Sequence, residues 1–193
     1  MKKIIFHLAV FTAFAAVFSS FKKDQKTVII DVAHGGKDRG AVIEGISEEE
    51  IVRQISKKIM ANNQNSDVKI ILTRSEDAYS SLGERADFIN RNNPDLVISL
   101  HANANFKNKE RKGAEIFSQN SDVAKALAKK LSAKFEDCPT NDQQNLYILK
   151  NSKVPTLLLE VGYITNEAER NFLTSNAGQN EISTKILEFI QEK

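Results

Sequence analysis

The stretch Thr27–Gly40, TVIIDVAHGGKDRG, decides how this chain is read. Thr27 to Val32 is a β-branched, apolar run of the kind that forms a buried strand. It ends in Ala33-His34-Gly35-Gly36. A histidine and two glycines at a strand exit contribute little to stability. They make sense where a ring must face a cleft and the backbone must turn sharply beside something bound. Two later apolar strands also end in a chemically capable residue, Leu96–His101 in a histidine and Thr156–Glu160 in a glutamate. His, His and Glu at three strand ends point to a metal site along one edge of a sheet.

Working outward, strands and helices alternate. After the glycine-bearing loop Gly35–Gly45, a helix is expected over Ser47–Asn62. Ser47 is its N-cap, Glu50 completes a capping-box pattern, and Ile51, Val52, Ile55 and Ile59 form its apolar stripe. Val68–Thr73 reads as a strand. Leu82–Asn92 reads as a helix with Leu82, Ala86 and Ile89 on one face, and Pro94 turns the chain into the strand at Leu96. A polar loop, His101–Lys112, leads to a strand at Gly113–Phe117 and a helix over Ser121–Phe135 with Val123, Leu127 and Leu131 facing inward. Asp137–Asn145 reads as loop and Leu146–Leu149 as a short strand or extended piece. The strand Thr156–Val161 is apolar on consecutive positions, so both of its faces are covered. Helices over Asn166–Leu173 and Ile182–Gln191 close the chain. The pattern predicts a single α/β domain with a mostly parallel or mixed central sheet and helices on both faces. In such sheets ligands sit beyond the carboxyl ends of the strands.

The chain has 193 residues, enough for one domain with a core of its own. Residues 1–20 differ from the rest: Lys2 and Lys3, an apolar run from Ile4 to Phe18, then Ser19 and Ser20. A basic start, a short apolar middle and small residues after it describe a secretory signal peptide, which implies export to the periplasm or cell envelope. Residues 21–26 read as a polar linker, and 27–193 as the catalytic domain. Without residues 1–20, which carry two lysines and no acid, the formal charge falls from +2 to 0. A neutral domain offers no electrostatic reason to bind nucleic acid. The one cysteine, Cys138, permits no internal disulfide and has no acid–base partner assignable from sequence.

Beyond His7 in the leader, the histidines are His34 and His101 alone, and both fall at the carboxyl end of an apolar strand. Either one singly would more often be structural; the coincidence of position favours metal ligation. Two neutral imidazoles need a carboxylate to complete a catalytic His₂Glu set for zinc. Glu48, Glu49 and Glu50 follow the N-cap, where acids also complement the helix dipole. Capping explains Glu50, and spacing does not choose between Glu48 and Glu49. Glu160 ends an apolar run, where an unpaired carboxylate is costly unless it meets a metal or a partner. In a cleft it could hold a raised pKa and move a proton.

The segments DVAHGGKDRGA, GISEEEI, LTRSED, LGERADFIN, SLHANA and LYILKNSKVPTLLLEVGYITNEAE occur in that order. Together they resemble the zinc-dependent N-acetylmuramoyl-L-alanine amidases of the Amidase_3 type, the AmiA/B/C-like peptidoglycan amidases, over roughly Thr27–Ile190. The resemblance implies that His34, Glu48 and His101 hold Zn²⁺ and that Glu160 is the catalytic acid/base. It implies peptidoglycan as substrate, cut at the amide between N-acetylmuramic acid and L-alanine, in wall remodelling or daughter-cell separation. Regulation or targeting would come from partner proteins or from the domain's own surface. Two departures stand out: Val32-Ala33 replace the usual Pro-Gly or Ala-Gly before the first histidine, and Glu49 replaces a lysine, which leaves the Glu48 alignment open by one residue. Larger relatives carry an added helix that blocks the zinc, and the connection from Lys107 to Asn145 is too short to hold it. Other readings compatible with the same residues are a zinc peptidase acting within the stem peptide and a peptidoglycan-binding module that has lost catalysis. Arg74 and Arg85 could meet substrate carboxylates, though arginines at such positions are more often structural.

Overall fold

The first long strand, β1 (Lys26–Val32), shows how the layers are divided. Val28, Ile30 and Val32 join one hydrophobic cluster and Ile29 joins another on the opposite face. The computed structural model describes residues 25–142 and 145–192, so the leader at 1–20 and most of the linker lie outside the described residues. Among the described residues no helix is long and apolar enough to cross a membrane.

The chain continues through a two-stranded hairpin, β2 (Val42–Ile43) and β3 (Ile46–Ser47), into α1 (Glu48–Asn62), β4 (Val68–Leu72), α2 (Leu82–Asn92) and β5 (Leu96–Asn103). It then forms β6 (Glu115–Ser118), α3 (Asp122–Ser132), β7 (Thr140–Asp142), α4 (Tyr147–Asn151), β8 (Thr156–Tyr163), α5 (Glu167–Thr174) and α6 (Asn176–Gln191). Six strands make one sheet in the order β4-β1-β5-β8-β6-β7. β4, β1, β5 and β8 are parallel, β6 runs antiparallel to β8, and β7 is parallel to β6. The sheet is therefore mixed, with helices on both faces, as the strand–helix alternation predicts.

The two faces are unequal. Ile51, Ile55 and Ile59 of α1, Ala124, Ala128 and Leu131 of α3, and Ile182, Ile186 and Ile190 of α6 cover one side in a large cluster. The other side carries a small cluster around Ile29, Val97, Ile89 of α2 and Ile148 of α4. On that side, alternation along β5 and β8 sends Ser99, His101 and Glu160 outward from the small cluster toward the carboxyl ends of the strands. Apolar cover thus gives way to a row of polar side chains there.

Four stretches depart from the expectation, one being the last helix, which begins at Asn176, six residues before Ile182. Leu146–Leu149 is not extended: α4 occupies Tyr147–Asn151, and Ile148 packs beneath the site. Asp137–Asn145 is not all loop, because Thr140–Asp142 pairs with β6 as an exposed edge strand. Glycine-rich 35–45 includes the outer strand of the hairpin, whose two-residue turn, Glu44-Gly45, has positive φ at both positions (51° and 84°), the backbone of a type I′ turn. Val123, assigned inward, is 59% exposed, and Leu82, placed on one face with Ala86 and Ile89, is 52% exposed. Alanines 124 and 128 face the sheet in α3, where their small size lets the helix approach closely. Ser47 caps α1 by accepting from the Glu50 N–H at 3.4 Å, and the full reciprocal box is formed at Ser81 and Glu84. Between Lys107 and Asn145 the described residues form β6, α3, β7 and no further helix.

Candidate metal centre

β1, β5 and β8 run in parallel, so their carboxyl ends open on one edge of the sheet. His34 lies just past β1. His101 lies within β5, two residues before its end, where the register to β8 shifts between His101 and Asn103. Glu160 is the register partner of His101 on β8, and Glu115 on β6 is the partner of Glu160. The hairpin delivers α1 so that its first residue, Glu48, reaches the same place.

Glu48 Oε1 stands 3.0 Å from His34 Nε2 and 2.9 Å from His101 Nδ1. The two rings are nearly perpendicular, at 83°, with centroids 5.3 Å apart. One donor atom from each of the three residues falls within 4.8 Å of the others, so a single ion could touch all three. Backbone groups fix the carboxylate: Ala102 N–H donates to Oε1 and Ala41 N–H to Oε2, each at 3.2 Å. Glu49 points elsewhere. Its Oε1 accepts from Arg53 Nε and Arg74 Nη1, both at 2.9 Å, so this buried acid ties α1 to the segment after β4.

Electrostatics follow from this packing. Burial alone would lower the pKa of both imidazoles, but the Glu48 carboxylate overrides it and raises both. Burial likewise opposes ionisation of Glu48, yet hydrogen bonds to His101 and His34 hold its carboxyl well below the usual carboxylate range. Glu160 goes the other way. Burial pushes its carboxyl up to about 7, with His101 pulling down and the charges of Glu48 and Glu115 pushing up. Its Oε2 is buried with no hydrogen-bond partner. An orphaned carboxylate oxygen beside three convergent donors is a group left for a proton or a substrate.

Supporting residues that the sequence did not single out surround this centre. Asp38 Oδ2 lies 2.9 Å from His34 Nδ1, and its carboxylate helps to raise the pKa of that imidazole. Glu115 accepts from Tyr163 Oη at 2.8 Å, Arg111 Nη2 at 2.9 Å and Asn103 Nδ2 at 3.2 Å, which locks the strand ends flanking Glu160. Asp31 is buried, paired with Arg85 at 3.0 Å and Ser99 Oγ at 2.7 Å. Arg74 and Arg85 are themselves buried. Arg74 donates to the carbonyls of Val32 and Ala33, and Arg85 to those of Val32 and His34. They hold the exit of β1 and so aim His34, whose backbone takes the left-handed region at φ 59°. Without such a clamp that conformation costs a non-glycine residue about 1–2 kcal/mol. Cys138 is buried, and burial pushes its thiol up to about 11, so it is no nucleophile at neutral pH.

A family model described as N-acetylmuramoyl-L-alanine amidase matches residues 28–192. The chain belongs to that family. It is an amide hydrolase of the N-acetylmuramoyl-L-alanine amidase class. It is 32% identical to the N-acetylmuramoyl-L-alanine amidase LytC of Bacillus subtilis (strain 168) over 156 residues, which is 77% of this chain and 31% of LytC. It is 26% identical to the amidase AmiA of Escherichia coli (strain K12), covering 85% of this chain and 74% of AmiA. The crystal structure of an N-acetylmuramoyl-L-alanine amidase from Clostridium difficile 630 superposes with a TM-score of 0.82 at 26% identity, over 86% of this chain and 95% of that one. The CwlD amidase from Clostridioides difficile, solved in complex with the GerS lipoprotein, matches with a TM-score of 0.78 at 28% identity, over 86% of this chain and 97% of that one.

Proposed function

We propose that this chain is a zinc-dependent, exported amidase that cleaves the bond between the lactyl group of N-acetylmuramic acid and L-alanine of the peptidoglycan stem, in wall remodelling or daughter-cell separation. The observation that carries the reading is the orphaned carboxylate of Glu160, in register with His101 and beside the carboxylate that joins His34 and His101. The donor set fits the metal: two imidazoles and one carboxylate are a common catalytic zinc arrangement with a position left for solvent. When bound, the ion would supply Lewis acidity, polarising the scissile carbonyl and acidifying water. His34, Glu48 and His101 would hold it. Glu160 would take the proton from the attacking water and hand it to the departing amine of L-alanine. The leader at residues 1–20 supports export, which agrees with a wall substrate. Regulatory or targeting partners are compatible with this reading, since a relative was solved with a lipoprotein bound.

The decisive experiment is digestion of purified sacculi by the metal-loaded protein, with analysis of the released products. Stem peptides with a free L-alanine amine are expected. Cleavage within the stem would make the protein a peptidase, and no release at all would leave only a wall-binding role.

A further inference from the structure

We propose that Tyr79, Leu82 and Tyr147 form a shelf for the sugar ring of the substrate, so that the glycan lies on the β4 side of the centre and the stem peptide on the β8 side. This rests on the amidase reading above and specifies how its substrate is oriented.

The cavity at the centre is small. A space of about 80 Å³ is lined by His34, His101, Arg85, Ile148, Tyr79 and Leu82. Each water of the liquid takes up about 30 Å³, so this space has room for an amide group or two waters but no hexose. The sugar must lie across the mouth, on whatever surface the mouth offers. There Tyr79 is 48% exposed and Leu82 52% exposed. Tyr147, on α4 next to Ile148, is 43% exposed, and its hydroxyl comes within 3.8 Å of the position a Cβ would take on Gly83. It therefore stands next to Leu82 at the start of α2. Single exposed apolar residues are ordinary, but Tyr79 and Leu82 on one cavity, with Tyr147 in the adjoining groove beside Gly83, make a run of exposed apolar surface that calls for a ligand.

The shelf is also firmly placed. Gly36 N–H donates to Asp77 Oδ1 at 2.6 Å, joining the loop after His34 to the loop that carries Tyr79. Lys37 Nζ stands 4.3 Å from the centroid of the Tyr79 ring. A pyranose presents a face of C–H groups and a rim of hydroxyls. Tyrosine matches both, with a flat ring for dispersion and a hydroxyl for hydrogen bonding. The opposite flank differs. Beyond β8, a groove of about 760 Å³ is lined by Glu44, Lys109, Glu110, Lys112, Glu167 and Arg170. Such mixed charge suits a peptide bearing carboxylates and ammonium groups and offers no flat apolar surface to a sugar. In the sheet order β4-β1-β5-β8, the segments following β4 and β8 flank the centre on opposite sides, which gives the substrate its direction.

The test has two parts. Binding of a peptide-free disaccharide, N-acetylglucosaminyl-N-acetylmuramic acid, is followed by calorimetry for the wild type, Tyr79→Ala, Tyr147→Ala and Tyr79→Phe. Each alanine variant should weaken binding about tenfold and Tyr79→Phe by less, in line with the strength of one aromatic contact. Val123→Ala, an exposed apolar change on α3, should leave binding unchanged. Turnover is then compared on an N-acetylmuramoyl-peptide and on the same peptide carrying D-lactate without the sugar. The preference for the sugar-bearing substrate, as a ratio of kcat/KM, should fall about tenfold in each alanine variant, mainly through KM. Absence of disaccharide binding in the wild type, binding insensitive to both tyrosines, or an unchanged preference ratio would each overturn the shelf. A wild type that binds the disaccharide in a tyrosine-dependent way yet cleaves neither substrate supports the shelf while refuting the amidase reading.

Discussion

Glu160 and His101 are register partners on neighbouring parallel strands, and the glutamate keeps one carboxylate oxygen buried without a hydrogen bond. Their side chains lie on the same face of the sheet because paired residues of adjoining strands point the same way. The carboxyl proposed to transfer protons is thereby held beside an imidazole by backbone register alone, with no flexible loop between them.

Replacing this carboxylate separates its chemistry from its cost. Glu160→Gln should lower turnover by about 10²–10⁴-fold, the range for loss of a general base, while the metal content stays that of the wild type. The same substitution should stabilise the metal-free fold above neutral pH. With the carboxyl pushed up to about 7, the native state holds its proton more tightly than the unfolded chain does. Stability from this group is therefore complete at low pH and is lost as the pH rises toward 7, by up to about 3 kcal/mol. Thermal melts of the chelator-treated protein at pH 5 and pH 8 should show Glu160→Gln gaining on the wild type far more at the higher pH. A variant equally stable at both would contradict the burial argument.

The rate should depend on pH in the same sense. A protonated Glu160 cannot accept a proton, so kcat/KM should fall as the pH drops below its pKa. A cation held by the three ligands would draw that pKa below the metal-free value. Glu115→Gln removes one of the charges that push Glu160 up, so its acidic limb should lie at lower pH than that of the wild type. Profiles of the two proteins measured side by side check this, and a limb displaced to higher pH would speak against the assignment.

Glu48 and Glu49 should fail in different ways. Glu48→Gln should lose most of its bound zinc, as should His101→Ala. Glu49→Gln should keep close to one zinc per chain yet unfold more easily, by about 3 kcal/mol, because Arg53 and Arg74 lose a buried partner. Metal analysis with a denaturant titration distinguishes them, and zinc loss in Glu49→Gln with retention in Glu48→Gln would reverse the assignment.

Gly40 touches no substrate yet should matter for metal binding. A Cβ there would come within 2.6 Å of Glu48 Oε2 and 2.8 Å of His34 Cδ2, on a backbone at φ 64°. Gly40→Ala should weaken zinc affinity at least tenfold and cost about 1–2 kcal/mol in stability from the left-handed backbone. Competition with a chromophoric chelator reads the first effect and thermal unfolding the second.

What the sequence made legible has a physical pattern. β1, β5 and β8 are buried on both faces, so their unbroken apolar runs announce them and place His34, His101 and Glu160 near their carboxyl ends, although β5 and β8 run on past His101 and Glu160 to Asn103 and Tyr163. The cap at Ser47 marks α1, and the spacing of Ala86 and Ile89 marks α2. Elements too short for a period stayed hidden. Tyr147-Ile148-Leu149 is β-prone in composition and forms only one helical turn, and Thr140-Asn141-Asp142 carries no apolar signal at all. Val123 continues the i, i+4 row of Leu127 and Leu131, but the sheet accepts the alanine row beside it. The supporting residues Asp31, Asp38 and Glu115 acquire meaning only from neighbours distant in sequence, so no local pattern could reveal them. Glu48 and Glu49 are adjacent in sequence and equally buried, and the hundred-degree step around a helix alone sends one to the imidazoles and the other to the arginines.

The hairpin ahead of α1 has a practical corollary for engineering. Its rungs, Val42 with Ser47 and Ile43 with Ile46, fix where the helix begins, while its tip at Glu44-Gly45 stands clear, with no atom within 4 Å of a Cβ added at Gly45. Foreign peptide spliced into the tip would sacrifice the Glu44–Arg170 ion pair and the Arg39 bond to the Gly45 carbonyl. Shortening the rungs by even one residue would rotate the helix start and swing Glu48 away from the histidines. The tip thus tolerates change better than the rungs directly behind it, and a label or graft there would leave the metal centre in place while meeting the charged groove that Glu44 lines.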